Sequence, residues 1–312
     1  MSDRSTTTMP KVSIVVPAYN HARYLPEAID SILGQTYPSV ELIVLDDGST
    51  DDTINVLNKY GDQIVWESHQ NMGQARTLNK GWAISTGEIL AYLSADDILL
   101  PGAVAQCVQC LIDNPDAVAC YPDFRLIDPE SRVVRSVRAP EFNYLQMVRE
   151  FVCAPGPGAF FWRDAFLKAG NWNPELRHSP DYEFWLRLGR YGRFVNVREQ
   201  LAAFRLHEGS QSFAKTTVHR AEEAIRIMEA YFALPDLPGD ILVHKKVALA
   251  NANYVVAQLH LRALRYGNAI DRIVMGVRCQ PSSLFAGRVL RMLVNGLLYR
   301  PLHRLSWLLR RS

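Results

Sequence analysis

The stretches VSIVVPAYN (12–20), ELIVLDDGSTDDT (41–53) and GEILAYLSADD (87–97) decide the fold of this 312-residue chain. Each is an apolar run that ends in small or polar residues, which is typical of a buried strand followed by a loop. Apolar residues at helical spacing lie between these runs, in Leu25–Gln35 and Gly73–Ser85. Strands that alternate with helices of about ten residues predict an α/β fold, with a mostly parallel sheet covered by helices on both faces.

The alternation ends near residue 125, which divides the chain into regions. We expect residues 1–10 to be disordered, residues 11–215 to form the sheet domain, and residues 216–312 to be helical. Helices are predicted over 217–233 and 241–266 from their apolar spacing. Ser49-Thr50-Asp51-Asp52 is predicted to be a capping box that starts a helix at Thr53.

Composition excludes several classes of protein and exposes a charge asymmetry. Apolar residues make up 48% and charged residues 21%, which excludes a disordered chain and a coiled-coil rod. The 34 basic and 32 acidic residues nearly balance, but residues 272–312 contain eight arginines and no acidic residue. This basic tail predicts contact with an anionic membrane surface; packing on the body and a dimer contact are the alternatives. The mildly acidic body predicts no binding of nucleic acid.

Targeting signals point to the cytoplasm. Five cysteines are too few, and odd in number, for a secreted disulfide framework. The polar start MSDRSTTTMPK has no apolar leader, and no run is long and apolar enough to span a membrane. We therefore expect a cytoplasmic protein, with peripheral attachment at the inner face of the membrane if the tail binds lipid.

Acidic pairs follow two of the predicted strands, at Asp46-Asp47 and Asp96-Asp97. The carboxyl ends of parallel strands meet at one edge of a sheet, so these carboxylates should lie close together. Clustered carboxylates repel one another unless a cation lies among them, and oxygen ligands suit Mg²⁺ or Mn²⁺. The alternative is that Asp46-Asp47-Gly48-Ser49 is only a turn that caps the next helix.

The chain resembles glycosyltransferase family 2, whose members are inverting, nucleotide-sugar-dependent enzymes with the GT-A fold. Six motifs carry the resemblance in the expected order over about residues 11–215: VSIVVPAYN, ELIVLDDGSTDDT, NMGQARTLNKG (71–81), GEILAYLSADD, DYEFWLRL (181–188) and RLHEGSQS (205–212). The resemblance implies a GT-A domain, with a sheet of this α/β type, followed by a helical C-terminal region.

The resemblance also implies a binding set for the sugar nucleotide. Its members are Pro17, Ala18, Tyr19, Asn20, Asp47, Arg76 and Asp96. A carboxylate such as Asp47 can accept the imide N–H of uracil or thymine, which favours a UDP- or dTDP-sugar. The alternative for Arg76 is a solvated helix residue.

Two further roles follow from the resemblance. Asp97, with His207, would hold the Mn²⁺ or Mg²⁺ that neutralises the leaving diphosphate. Asp181 would be the general base that deprotonates the acceptor hydroxyl. The family usually has an acidic residue before this aspartate, whereas this chain has Pro180; Glu183 is the fallback base. Asp181 as a helix cap is the alternative.

The expected function is transfer of a sugar to a glycan or lipid-linked glycan acceptor, with inversion. A different class, a non-catalytic sugar-nucleotide or glycan binder on a degenerate transferase fold, is favoured only by Pro180. Four aromatic residues are candidates for a sugar-stacking platform, although core positions are the alternative. They are Trp162, Trp172, Tyr182 and Trp185.

Overall fold

The computed structural model describes residues 9–207, 209 and 216–309, with side chains described as far as residue 298 at the C-terminal end. Of the terminus predicted to be disordered, residues 1–8 lie outside the described residues, and Pro10 accepts a hydrogen bond from the Tyr37 hydroxyl. The chain divides into two compact units. Unit 1 comprises the described residues of 1–142, 153–175 and 180–210, and unit 2 comprises those of 143–152, 176–179 and 211–312.

Unit 1 is built on a sheet that has nine strands among the described residues. The strands are β1 (Val12–Ala18), β2 (Val40–Asp46), β3 (Val65–Ser68), β4 (Ile89–Tyr92), β5 (Ile98–Leu99), β6 (Ala117–Ile127), β7 (Val133–Val137), β8 (Phe160–Trp162) and β9 (Arg193–Arg205). Their order is β3-β2-β1-β4-β8-β6-β9-β5, and β7 pairs with β6 outside that order.

The predicted α/β fold is confirmed. Strands β3, β2, β1 and β4 are parallel neighbours, and β6 is parallel to β9. Strand β8 is antiparallel to both β4 and β6, and β5 is antiparallel to β9. The parallel pairing sets Ala18 beside Asp46 and Val15 beside Tyr92, so the carboxyl ends of β1, β2 and β4 lie at one edge of the sheet.

The described residues form thirteen α-helices. They are α1 (Leu25–Leu33), α2 (Thr53–Asn58), α3 (Gln74–Ile84), α4 (Ala103–Asp113), α5 (Tyr144–Glu150), α6 (Arg163–Ala169), α7 (Pro180–Leu188), α8 (Val218–Ala221), α9 (Glu223–Phe232), α10 (Gly239–Leu242), α11 (Lys245–Arg262), α12 (Tyr266–Cys279) and α13 (Gly287–Leu309). Helices α5 and α8 to α13 belong to unit 2. In unit 1, α1 buries Leu25, Ile29 and Ile32 on one face, as its apolar spacing predicts.

Aromatic side chains fill the core of unit 1 beside the central strands. The Trp82 ring lies 5.9 Å from Trp172 and 6.1 Å from Phe184, and Phe161 lies 5.7 Å from Trp185. The four aromatics considered for a sugar platform are at most 9% exposed. The platform interpretation is therefore wrong, and the alternative of core positions is right, because burial at this level leaves no ring face for a sugar.

The capping-box prediction is also wrong. Helix α2 begins at Thr53, and the side chain of the preceding Asp52 makes no capping hydrogen bond. The Ser49 hydroxyl instead accepts a hydrogen bond from the Asn20 amide. This serine therefore joins two loops of unit 1 and does not cap the helix.

Unit 2 is helical, and α11 packs against α5, α9, α12 and α13. Its core includes Ala250 and Tyr254 of α11 and Val289 of α13. The helix predicted over 217–233 is divided between α8 and α9, and the one predicted over 241–266 is divided among α10, α11 and the start of α12. Within the described part of the chain, no helix has the length and apolar character needed to cross a membrane.

Candidate active site

The loops that follow β1 and β2 are joined by reciprocal hydrogen bonds. The Asn20 side-chain oxygen accepts from the Thr50 amide at 2.7 Å, and the Asn20 amide donates to Ser49 at 2.8 Å. Asn20 has a φ of 56° and Gly48 a φ of 74°. A Cβ on Gly48 would lie 2.7 Å from the Asn71 nitrogen, so only glycine fits at this turn. The result is a rigid double loop at the edge of the sheet.

The Asp46 and Asp47 carboxylates, at the end of β2, have different partners. Asp46 is fully buried and accepts from the Ser49 amide and the Ser68 hydroxyl, so it stabilises the turn. Asp47 accepts from the amides of Met72 and Gly73 at 2.6 and 2.9 Å, which holds the loop before α3 against β2. These contacts use part of the acceptor capacity of Asp47, and the carboxylate is 3% exposed.

The other predicted donor-binding residues lie at the same edge in different environments. Pro17 and Ala18 are buried at the end of β1, and Tyr19 is 47% exposed immediately after it. Arg76 extends from the first turn of α3 and lies 3.5 Å from Glu175. The side chain of Arg76 is half-exposed, as the alternative of a solvated helix residue predicts. Its guanidinium is paired with the Glu175 carboxylate.

Asp96 and His207 are in direct contact. His207 Nε2 lies 2.9 Å from Asp96 Oδ2, and the His207 ring lies 4.9 Å from the Tyr24 ring and 6.1 Å from His21. Burial lowers the pKa of His21, the charges of Asp96 and Asp51 raise it, and that of His207 lowers it, with a net decrease. Because Asp51 belongs to the double loop, His21 lies between that loop and the Asp96–His207 pair.

Asp97 is 4% exposed, and its Oδ1 accepts from the Arg205 amide at 2.9 Å. Burial raises the pKa of this carboxyl well above its usual value, and the charge of Asp96 raises it further. The Arg205 amide and guanidinium oppose both effects only in part. The Asp97 carboxylate is therefore short of positive charge.

Asp181 lies in the first turn of α7 and is half-buried. Burial raises the pKa of Tyr92, at the end of β4, and the charges of Asp181, Cys153 and Asp97 raise it further. The charge of Asp181 also raises the pKa of Cys153, after burial. The charges of Asp181 and Asp97, which belong to elements far apart in the sequence, thus both act on Tyr92. Glu183, the fallback base, is bound by Arg187 through both oxygens, at 2.6 and 2.8 Å.

The structure thus brings Asp96, Asp97 and His207 together, and the charges of Asp97 and Asp181 both raise the pKa of Tyr92. Sequence analysis missed three members of the site: Tyr92, His21 and Arg205. Two of them had a signal, since Tyr92 ends the strand that precedes Asp96-Asp97 and His21 follows Asn20. Arg205 begins the RLHEGSQS motif, but the motif does not indicate its partners, because its contacts join segments more than 70 residues apart.

The candidate ligands for a divalent cation are Asp96, Asp97 and His207. Two adjacent carboxylates and an imidazole are suitable ligands for Mn²⁺ or Mg²⁺, and a cation beside Asp97 would favour the ionised carboxylate that burial disfavours. Within the described ranges, no group of three or more histidine, cysteine, aspartate or glutamate side chains is spaced to hold a metal ion. His207 is hydrogen-bonded to Asp96 in this arrangement. The residue types suit a divalent cation. His207 could bind such an ion through Nε2 only after breaking its hydrogen bond to Asp96.

Comparison with known proteins places this geometry in a family. The family model described as "Glycosyl transferase family 2" matches residues 13–169. An uncharacterized glycosyltransferase of Rickettsia typhi is 31% identical over 229 residues, covering 70% of this chain and 71% of that protein.

Solved structures show the same fold. Residues 1–349 of S. aureus TarS, in complex with UDP-GlcNAc, align with a TM-score of 0.66 at 19% identity, covering 93% of this chain and 92% of that one. The mannosyltransferase PcManGT from Pyrobaculum calidifontis, in complex with GDP-Man and Mn²⁺, aligns with a TM-score of 0.56 at 17% identity, covering 93% and 88%. The chain is a glycosyltransferase of family 2 with the GT-A fold, as its motifs indicated.

Proposed function

We propose that the protein transfers a sugar from a UDP- or dTDP-sugar to a hydroxyl of a glycan or lipid-linked glycan, with inversion at the anomeric carbon. The observations that carry this proposal are the membership in glycosyltransferase family 2 and the cluster at one edge of the sheet, where His207 contacts Asp96 and the Arg205 amide binds Asp97. One displacement joins donor and acceptor only if the diphosphate site and the base for the acceptor lie close together. The charges of Asp97 and Asp181 both raise the pKa of Tyr92, which supports this closeness.

The nucleotide end of the donor would lie on the double loop after β1 and β2. Tyr19 offers an exposed ring, and Asp47, which accepts from two amides and lies 3.6 Å from His69 Nδ1, would accept from the base. The imide N–H of uracil or thymine is a donor that a carboxylate can accept, and so is the N1–H of guanine, whereas adenine and cytosine have no ring N–H of this kind. Asp47 is therefore compatible with the proposed uridine or thymidine nucleotide, and comparison with GDP-sugars tests that choice.

The diphosphate end would lie at the Asp96–Asp97 pair. Asp97 and His207 would hold Mn²⁺ or Mg²⁺, and when bound such an ion stabilises the charge that develops on the leaving nucleoside diphosphate. The solved mannosyltransferase with Mn²⁺ supports this assignment for a protein of the same fold. Asp96, whose side chain is 14% exposed, would contact the ribose.

Asp181 would act as the base. Its carboxylate takes the proton of the acceptor hydroxyl, the oxygen forms a bond to the anomeric carbon, and the bond from that carbon to the diphosphate breaks with its electron pair on the leaving group. Attack from the face opposite the leaving group inverts the anomeric centre. Glu183 is a poorer base because Arg187 holds both of its oxygens.

Helix α13 of unit 2 supports a membrane contact. It exposes Leu290, Val294 and Leu297 at helical spacing, with Arg291 also exposed, in a segment of the chain without acidic residues. An exposed apolar stripe beside an exposed arginine fits an anionic lipid surface. Val294→Asp should weaken sedimentation with anionic vesicles, whereas the control Leu167→Asp, at a 69% exposed leucine of α6, should not. Equal sedimentation of both variants and the wild type would refute the membrane contact.

The activity is tested with a panel of UDP-, dTDP- and GDP-sugars, by measuring nucleotide release in Mn²⁺, Mg²⁺ or chelator. We expect release from a UDP- or dTDP-sugar that needs the ion and is lost in Asp181→Asn. The control Asp113→Asn, an exposed position on α4, should match the wild type. Release that is unaffected by chelator would refute the cation, and nucleotide binding without release would favour the non-catalytic binder.

A further inference from the structure

Arg205 is a buried arginine at the end of β9 that joins three distant segments of unit 1. Its side chain is 1% exposed. The guanidinium donates to the main-chain oxygens of Asp96 at 2.8 Å and Asp128 at 3.1 Å, and to the Ser131 hydroxyl at 2.8 Å. It also forms an ion pair with Glu27 of α1 at 2.6 Å.

The positive charge of Arg205 is balanced by a carboxylate and lies over an aromatic ring. Glu27 is its carboxylate partner and also accepts from Ser131 at 2.8 Å. The guanidinium carbon lies 4.8 Å from the centre of the Tyr24 ring. The guanidinium is buried although Glu27 is 43% exposed, and burying a charged group is costly even when it has a partner. The cost indicates that this arginine has a task other than filling the core.

The contacts of Arg205 converge on the diphosphate end of the site. Its main-chain amide binds the Asp97 carboxylate, and its guanidinium binds the main chain of Asp96. Two residues further on, His207 contacts Asp96 and packs on the same Tyr24 ring that the guanidinium covers. All three side chains at this end of the site therefore depend on the placement of one residue.

We propose that Arg205, held by Glu27, is a positioning residue that sets Asp96, Asp97 and His207 for a cation-bound nucleoside diphosphate. This inference rests on the proposed function. Arg205 does not touch the substrate; it acts by fixing the carboxylates, and Glu27 acts by fixing Arg205. Loss of such an outer partner typically lowers metal affinity or activity about 10–100-fold.

The test is calorimetric titration of UDP and dTDP, each with Mn²⁺, into the wild type and matched variants. Arg205→Lys keeps the charge but loses the branched set of donors, and Glu27→Gln removes the partner charge at a 43% exposed side chain, so it should fold. Arg163→Lys is the control, because Arg163 makes similar main-chain contacts at Gly87, beyond the opposite end of β4. Asp181→Asn is the second control, since it removes the base and not the diphosphate site.

We expect Arg205→Lys and Glu27→Gln to weaken nucleotide binding in Mn²⁺ by about tenfold or more, with folding verified by circular dichroism. Arg163→Lys and Asp181→Asn should bind like the wild type, and only Asp181→Asn should lose turnover at saturating donor. Wild-type affinity in folded Arg205→Lys and Glu27→Gln would overturn the inference alone. A wild type that binds neither nucleotide in Mn²⁺ would overturn the proposed function and this inference with it.

Discussion

Replacement of Glu41 by glutamine should destabilise the protein in a pH-dependent way. The Glu41 carboxylate, on β2, accepts from Ser13 at 2.5 Å, from the Thr86 amide at 2.8 Å and from Lys11 at 2.9 Å. It thus connects β1 and β2 to the turn before β4, at the end of the strands away from the candidate site. Burial alone would raise the pKa of Glu41, but these hydrogen bonds outweigh it and lower the pKa from 4.5 to about 2.

The magnitude follows from this pKa. A tenfold change in proton affinity corresponds to about 1.4 kcal/mol, so the ionised carboxylate stabilises the folded state by about 3 kcal/mol at pH 7. Because the folded pKa lies below the unfolded one, the stabilisation is complete above pH 4.5 and is lost as the pH falls towards 2. At pH 3 about 1.4 kcal/mol remains.

Urea denaturation of the wild type and Glu41→Gln at pH 7 and pH 3 measures both values. The difference in the free energy of unfolding should be about 3 kcal/mol at pH 7 and about half of that at pH 3. Glu130→Gln is the control, since Glu130 pairs with Arg23 at the surface and should contribute about 1 kcal/mol or less. Equal losses for Glu41→Gln at both pH values would refute the assignment of the effect to the ionised carboxylate.

Three further predictions concern packing, catalysis and the cation. Gly87→Ala should lower the free energy of unfolding by about 1–3 kcal/mol, because a Cβ there would lie 2.6 Å from the Ser13 nitrogen; Gly267→Ala, with open space, should not destabilise. Asp181→Asn should lower kcat about 10²–10⁴-fold with unchanged binding of UDP, measured as nucleotide release at saturating donor. A UDP-induced rise in Tm in Mn²⁺ should disappear on addition of chelator, and an undiminished rise would contradict the role of Asp97.

The parallel half of the sheet could be predicted from the sequence because its information is local. Runs such as Val12–Val16 and Glu41–Leu45 alternate with amphipathic helices, and the carboxyl ends of parallel strands necessarily meet. The two-residue strand β5 and the largely exposed strand β7 could not be predicted, since neither has a recognisable hydrophobic period. Their pairing with β9 and β6 determines where they form.

The candidate site was predictable only where motifs carry it. Asp96 and Asp97 follow a strand in sequence, so their approach to the other loops could be expected. The Arg205–Glu27 pair spans 178 positions, and no spacing rule connects a strand arginine to a helix glutamate at that distance. The capping box failed for a similar reason, because Ser49 bonds to Asn20, a partner outside its own segment.

The proposal that Asp97 and Asp181 belong to one active site is tested most directly by ¹⁹F NMR of protein labelled with 3-fluorotyrosine. The Tyr92 resonance is assigned from Tyr92→Phe, and the labelled protein is titrated with UDP in Mn²⁺ or in diamagnetic Mg²⁺. The charges of Asp97 and Asp181 both raise the pKa of Tyr92. If the ion binds at Asp97, paramagnetic Mn²⁺ with UDP should therefore broaden the Tyr92 resonance, and Mg²⁺ with UDP should not. A Tyr92 resonance that stays sharp at saturating Mn²⁺ and UDP would contradict the shared site.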